Sequence, residues 1–232
     1  MKHRFSYKET IVTIICDPEF VRVAEDALFE ARSVIESKVM QDGFFRITYD
    51  PVEPSGEDHP LIQRMCRASV LSGVGPFAGV AGAVAVFAVE RMQEAGAREA
   101  IVENGGDIAF LSDRKVPIGL FADHPVLRDV AFRVSSEGIT GICSSSAKIG
   151  PSVSLGASNV CTVFSDDVIL ADCCATALGN LVKGESEVSD ALETICSIDG
   201  VKGCLACVGD KVAICGDVPD MIPANVPDEL CR

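Results

Sequence analysis

Three stretches of the chain put chemically capable residues at useful spacings. The first is Leu170-Ala171-Asp172-Cys173-Cys174-Ala175-Thr176-Ala177-Leu178. On a helix, Asp172 and Thr176 stand four apart and share a face. A carboxylate, a hydroxyl and nearby carbonyls form an all-oxygen set that suits Mg²⁺ or Ca²⁺. The plainer alternative is a first-turn Asp favoured by the helix dipole, with Thr176 bonded back to a carbonyl. The second stretch is Glu103-Asn104-Gly105-Gly106-Asp107-Ile108. Asn-Gly supplies the positive φ of a tight hairpin turn. It also lets a ligand approach the backbone at Gly105 and Gly106, where Asp107 could accept a hydrogen bond from it.

The third stretch runs from Cys143 through Ser144, Ser145, Ser146 and Lys148 to Gly156. An aperiodic, hydroxyl-rich segment longer than about 12 residues inside a domain is functional or disordered. Its serines are candidate ligand-binding groups. Cys143 at its entrance is a candidate nucleophile or sulfur carrier, with no His close in sequence to serve as base. In a polar loop near Lys148, its thiol is expected to ionise readily and to be among the fastest of the eleven cysteines to alkylate. Two further signals are weaker. Gly73-Val74-Gly75-Pro76 precedes a helix but matches neither phosphate-binding fingerprint. Cys204, Cys207 and Cys215 supply three local thiols, one short of a zinc ribbon, and strand alternation aims Cys204 and Cys207 at opposite faces.

The elements that must position these residues alternate. A β-branched strand at 10–16 ends at Asp17-Pro18, a helix start. Apolar residues from Phe20 to Ile35 then recur at helical spacing toward Gly43. A strand is expected at 44–49, a loop at 51–60, and a helix from Leu61 to Gly73. Residues 77–95 read as a helix thinned by Gly79, Ala81, Gly82, Ala83 and Ala85, which implies another backbone packed closely against it. Strands at 100–102 and 108–111 flank the Asn-Gly turn. Others follow near 116–121, 130–134, 138–143 and 160–164. Helices at 168–183 and 186–196 precede a closing hairpin at 202–215. The pattern predicts an α+β layer fold with largely antiparallel sheet. No composition shift or repeat divides it, so one domain over 1–232 is expected. The ligand pocket should gather residues 104–107, the loop 143–156 and the start of the helix at 168.

Composition narrows the function. At 232 residues and 48% apolar, the chain can bury a core. Its net charge is −14, and it has no Trp and two Tyr, so nucleic acid is not an expected partner. The apolar run 11–16 is too short for a signal-peptide core, and residues 77–89 fall short of the roughly 20 needed to span a bilayer. No membrane partner is expected. An odd cysteine count without a secretory signal points to a reducing cytoplasm.

The order of the motifs resembles the ApbE family: a Gly/Ala helix at 79–89, Asn104 to Ile108, the Ser/Gly-rich run 144–156, and Ala171 to Ala177. The match is nearest to a shorter ApbE-like branch, across Gly73 to Pro76, Glu103 to Ile108, Gly141 to Ser146, and Asp172 to Thr176. The resemblance implies a T-fold-like architecture and a homo-oligomer joined through sheet edges. ApbE proper uses FAD and Mg²⁺ to attach FMN to a threonine of a partner protein. By resemblance, Asp172 and Thr176 are metal ligands, and Asn104, Gly105, Gly106 and Asp107 face a nucleotide. The family's His-Ile-Ile-Asp-Pro segment has no counterpart here, where 136–143 stands in its place. The Lys of its Gly/Ala helix is a small residue near Ala83. Flavin transfer is therefore not carried over with the resemblance, and a metal-dependent nucleotide or flavin enzyme with Asp172 and Thr176 at its site stays one of the readings. The shorter branch is associated with anaerobic sulfur assimilation and homocysteine formation, a setting for Cys143. A small-molecule ligand is the expected partner under either reading, and a non-catalytic binding protein is the third.

Overall fold

Helical spacing of Ala24, Ala27, Leu28, Ala31 and Ile35 buries one stripe of α1 (Val21–Gln41) in a computed structural model of the chain. The structure describes residues 1–7, 10–119, 124, 127, 129–146 and 156–224. Strands β1 (Lys2–Tyr7) and β2 (Thr10–Cys16) precede α1. Helices α2 (Phe44–Ile47), α3 (Pro60–Ser72) and α4 (Val80–Glu94) follow it. Then come β3 (Ala100–Asn104), β4 (Asp107–Gly119), β5 (Val130–Ser145) and β6 (Val160–Ser165). After α5 (Val168–Leu181) and α6 (Val188–Cys196), strands β7 (Val201–Val208), β8 (Lys211–Gly216) and β9 (Met221–Pro223) close the described chain.

The strands form one sheet in the order β1-β2-β3-β4-β5-β6-β7-β8, with β9 against β5. Every pairing is antiparallel. The α+β class with antiparallel sheet, expected from the sequence, is thus the observed one. Helices enter the chain between β2 and β3 and between β6 and β7, two pairs of adjacent strands. They pack on one face, against Val12, Ile14, Val102, Ala109, Cys143, Val163 and Ala206. A second cluster fills the other face: Ile101, Phe110, Ile142, Phe164, Leu205 and Cys207. Register shifts between Phe110 and Val116 bend the β4–β5 hairpin. Phe132 thereby meets Phe164 edge-on, with ring centroids 4.9 Å apart.

Several expectations change. Residues 44–49 form a single helical turn and an extended exit, not a strand. Phe45 and Thr48 are buried there, three apart, while Phe44, Ile47 and Tyr49 are exposed, so no sheet face is available to reward alternation. The segments at 130–134 and 138–143 are one continuous strand, β5. β1 carried no strand signal because Phe5 is its one buried residue; it is held by pairing with β2. No single helix among the described residues is long and apolar enough to cross a membrane. Pro60–Ser72 and Pro76–Glu94 would be long enough together, but they are bent by 114° where they meet.

Candidate functional site

Antiparallel register aligns one residue from each of β1 to β8 into a transverse row: Phe5, Val12, Asn104, Asp107, Cys143, Val163, Cys204 and Cys215. Directly opposed residues share a face, and the buried apolar members of this row lie in the core beneath the helices. The β3–β4 turn, with Gly105 at φ 70° and Gly106 at φ 104°, lets Asn104 and Asp107 sit side by side. Glu103 Oε1 fastens the turn by accepting from Gly106 N at 3.1 Å. Asn104 Nδ2 donates to Ala81 O at 3.1 Å and so ties the turn to the first turn of α4.

That first turn rests on α5. A Cβ on Gly79 would lie 2.7 Å from Cys173 Sγ, and one on Gly82 would lie 2.9 Å from Val168 O and 3.0 Å from Asp172 Cβ. The sequence-based expectation that small residues admit a neighbouring backbone is met, and the neighbour is α5. Gly79 occupies the N-cap of α4 and has no side chain to cap it. Asp172 supplies the cap from another helix. Its Oδ2 accepts from Gly82 N at 2.8 Å, and the Ala81 amide also donates to this carboxylate. The plain expectation of a first-turn aspartate does not hold. Asp167, at the N-cap of α5, accepts from Ile169 N and Leu170 N at 3.0 and 3.2 Å, and Asp172 is the fifth residue of that helix.

Asp107 and Asp172 form a hydrogen-bonded carboxyl pair, 8% and 5% exposed. Burial pushes Asp172 up to about 7, against the opposing pull of the Gly82 and Ala81 amides. Burial and then the charge of Asp172 push Asp107 well above the carboxylate range. The pair therefore retains a shared proton up to about 7, and no lysine or arginine is among the leading influences on either group. Its donor type fits a hard divalent cation. No group of three or more His, Cys, Asp or Glu able to hold a metal occurs among the described residues. A cation here would draw its other ligands from hydroxyls, carbonyls, water or a bound phosphate. Thr176 lies one turn beyond Asp172 and is half-buried.

Cys143 is fully buried, and its thiol donates weakly to Val168 O at 3.6 Å and also to Asp107. Burial, then the charges of Asp107 and Asp172, push its pKa well up. The expected exposed, readily ionised thiol is corrected. β5 continues past Cys143 to Ser145, and alternation turns Cys143 into the helix-covered core rather than toward the hydroxyl-rich run. Ser145 shares that face and is buried. Ser144 points the other way and pairs with Thr162, Oγ to Oγ1, at 2.8 Å. Ser146 donates to Asn159 O at 2.7 Å. The expected gathering thus occurs for Asn104, Asp107, Cys143, Ser145 and the start of α5, while the sheet separates Ser144 from them. Lys148 and the rest of the run at 147–155 lie outside the described residues. Two surface clefts of about 340 and 280 Å³ are lined elsewhere, by Asp17, Arg98 and Arg114 and by Ser37, Lys38 and His59. Neither includes a member of the row.

The family model described as "AbpE bacteria" matches residues 2–196. The chain belongs to this ApbE-like family. A "UPF0280 protein" of Methanococcoides burtonii is 39% identical over 99% of this chain and 98% of its own length. One from Archaeoglobus fulgidus is 40% identical over 99% and 97%. Among solved structures, the flavin transferase ApbE from Vibrio cholerae superposes with a TM-score of 0.59 at 14% identity, covering 92% of this chain and 96% of that one. The apo form of Pseudomonas stutzeri flavinyl transferase ApbE gives 0.60 at 11%, covering 93% of each. At those identities the likeness is one of fold. Within this ApbE-like fold, Asp107 and Asp172 were both legible in the sequence. The Asn104–Ala81 tie and the Asp172 cap were not; Gly79 and Gly82 were their only trace.

Proposed function

We propose that this ApbE-like protein binds a phosphate-bearing small molecule of the nucleotide or flavin-nucleotide class, with Mg²⁺ or Ca²⁺ held by Asp107 and Asp172. One observation carries the reading: two buried carboxyls in contact with no lysine or arginine among their leading partners. Like charges this close ionise together only with a counter-charge, which a divalent cation supplies. The cation would contribute charge for holding phosphate oxygens. The chain's own groups would do the rest. Asn104 fixes the turn, Gly105 and Gly106 leave backbone open to the ligand, and Thr176 offers a hydroxyl one turn from Asp172. The likeness of fold to flavin transferases supports flavin as the first nucleotide to try. The test is a thermal shift of chelator-stripped protein with Mg²⁺, with and without FAD or ATP. Stabilisation by Mg²⁺, enlarged by a nucleotide and absent in Asp107→Asn and Asp172→Asn, is expected. Equal shifts in these variants would refute the site.

A second reading takes Cys143 as a sulfur carrier in anaerobic sulfur assimilation or homocysteine formation. It is supported by the hydrogen bond between the Cys143 thiol and the Asp107 carboxyl. A sulfur-atom mass gain at Cys143 after incubation with sulfide and an oxidant would favour it. If ligand binds and neither chemistry appears, the non-catalytic reading stands. Under all three, the protein works as a single-domain cytoplasmic homo-oligomer joined through its sheet edges, which light scattering checks.

A further inference from the structure

At the far end of the transverse row, three thiols converge from three elements. Cys196 ends α6, Cys204 lies on β7, and Cys215 faces Cys204 directly on β8. Cys196 Sγ and Cys204 Sγ are 3.6 Å apart, and Cys196 also hydrogen-bonds Cys215. Cys204 is buried, while Cys196 and Cys215 are half-buried. The backbone makes room for the cluster. At Gly216, with φ 76°, a Cβ would stand 3.0 Å from Cys196 Sγ. Only Val163 separates Cys204 from Cys143 in the row, yet the carboxyl pair uses none of these three sulfurs. Three sulfurs in contact suit neither acid–base work nor a hard cation. For a soft metal they are one ligand short of a closed tetrahedral set. Thiols at contact distance are suited to exchange with a disulfide.

We infer that Cys196 and Cys204 form a thiol–disulfide exchange site whose co-substrate is a small-molecule disulfide, with Cys196 as the entering thiol. The Cys196 thiolate attacks one sulfur of R–S–S–R. That S–S bond breaks, a Cys196–S–S–R bond forms, and R–S⁻ leaves and takes up the proton Cys196 lost. Cys204, already at contact distance, then attacks Cys196 Sγ. A second R–S⁻ leaves, takes up the Cys204 proton, and leaves a Cys196–Cys204 bridge. Two protein thiols are oxidised and one external disulfide is reduced to two thiols. A rotation of the Cys196 side chain must close the 3.6 Å contact toward the ~2.05 Å bond length. Burial and then Cys215 push the Cys196 thiol up, against an opposing pull from Cys204. The attack therefore speeds up as pH rises through the mildly alkaline range.

The test uses the full chain, oxidised glutathione at mildly alkaline pH, an acid quench, alkylation and non-reducing peptide mapping. The expected result is a peptide joining Cys196 to Cys204, two hydrogens lighter than its parts, with Cys215 alkylated. Cys204→Ser should stop at glutathione bound to Cys196, and Cys215→Ser should still form the bridge. Circular dichroism of both variants confirms that they are folded. The wild-type map decides the matter even if a variant fails to fold. A stable glutathione adduct on wild-type Cys196, no oxidation at all, or any other pairing would overturn the inference.

Discussion

Replacing Asp107 by Asn removes one titrating proton from the core and keeps a hydrogen-bond donor beside Asp172. The consequence for stability follows from linkage. In the unfolded chain both carboxyls lose their protons near 3.8, their ordinary value. In the folded protein the pair keeps at least one proton to about 7 or beyond. An acid whose folded value is raised contributes fully below its unfolded value, and the contribution is lost as pH rises toward the folded one. With at least one more proton bound in the folded state, stability should fall by at least about 1.4 kcal/mol per pH unit, or about 3 kcal/mol or more from about pH 5 to pH 7. Asp166 does not mask this slope. Lys202 and Thr140 outweigh the effect of its burial and hold it low, so it titrates below the window. The assay is urea denaturation in chelator across that range. Asp107→Asn should reduce the slope to the share of Asp172 alone, because burial still holds that carboxyl up to about 7 beside a neutral amide. Saturating Mg²⁺ should flatten it in the wild type. A slope unchanged in the variant, or stability rising with pH, would refute the shared proton.

Two other outcomes follow from the packing. Gly82→Ala should destabilise by about 1–3 kcal/mol despite alanine's helix propensity, because its Cβ meets Val168 O and Asp172; Gly138→Ala, with nothing within 4 Å, should be close to neutral in the same denaturation series. Under a brief iodoacetamide pulse on the native protein, Cys196 and Cys215 should label while buried Cys143 stays unmodified, as read by mass spectrometry.

Much of the layout was legible from period and punctuation. The Asn-Gly turn fixed β3 against β4, and the apolar stripe of α1 fixed its buried face. Alternation put Cys204 and Cys207 on opposite faces, where they belong to different core clusters. What escaped depended on register. Cys143 looked polar because Ser144, Ser145 and Ser146 follow it, and only its pairing opposite Asp107 and Val163 sends it into the core. The short apolar run at 44–49 looked like a strand, since local residue types cannot reveal that no partner strand lies beside it. Asp172 read as a helix-dipole residue or a metal ligand. Its service to α4 is a contact across 90 positions that no local pattern encodes.

That contact bears on how the chain matures on the ribosome. The amides that open α4 find their acceptor only on α5, which is synthesised about 90 residues later. Until α5 arrives, the notch at Gly79 and Gly82 lies uncovered, and the Ala81 and Gly82 amides must turn to water. The earlier half of the chain can form its hairpins and α1 but not a finished layer. Docking of α5 brings together, in one step, the helix start and the two carboxyls.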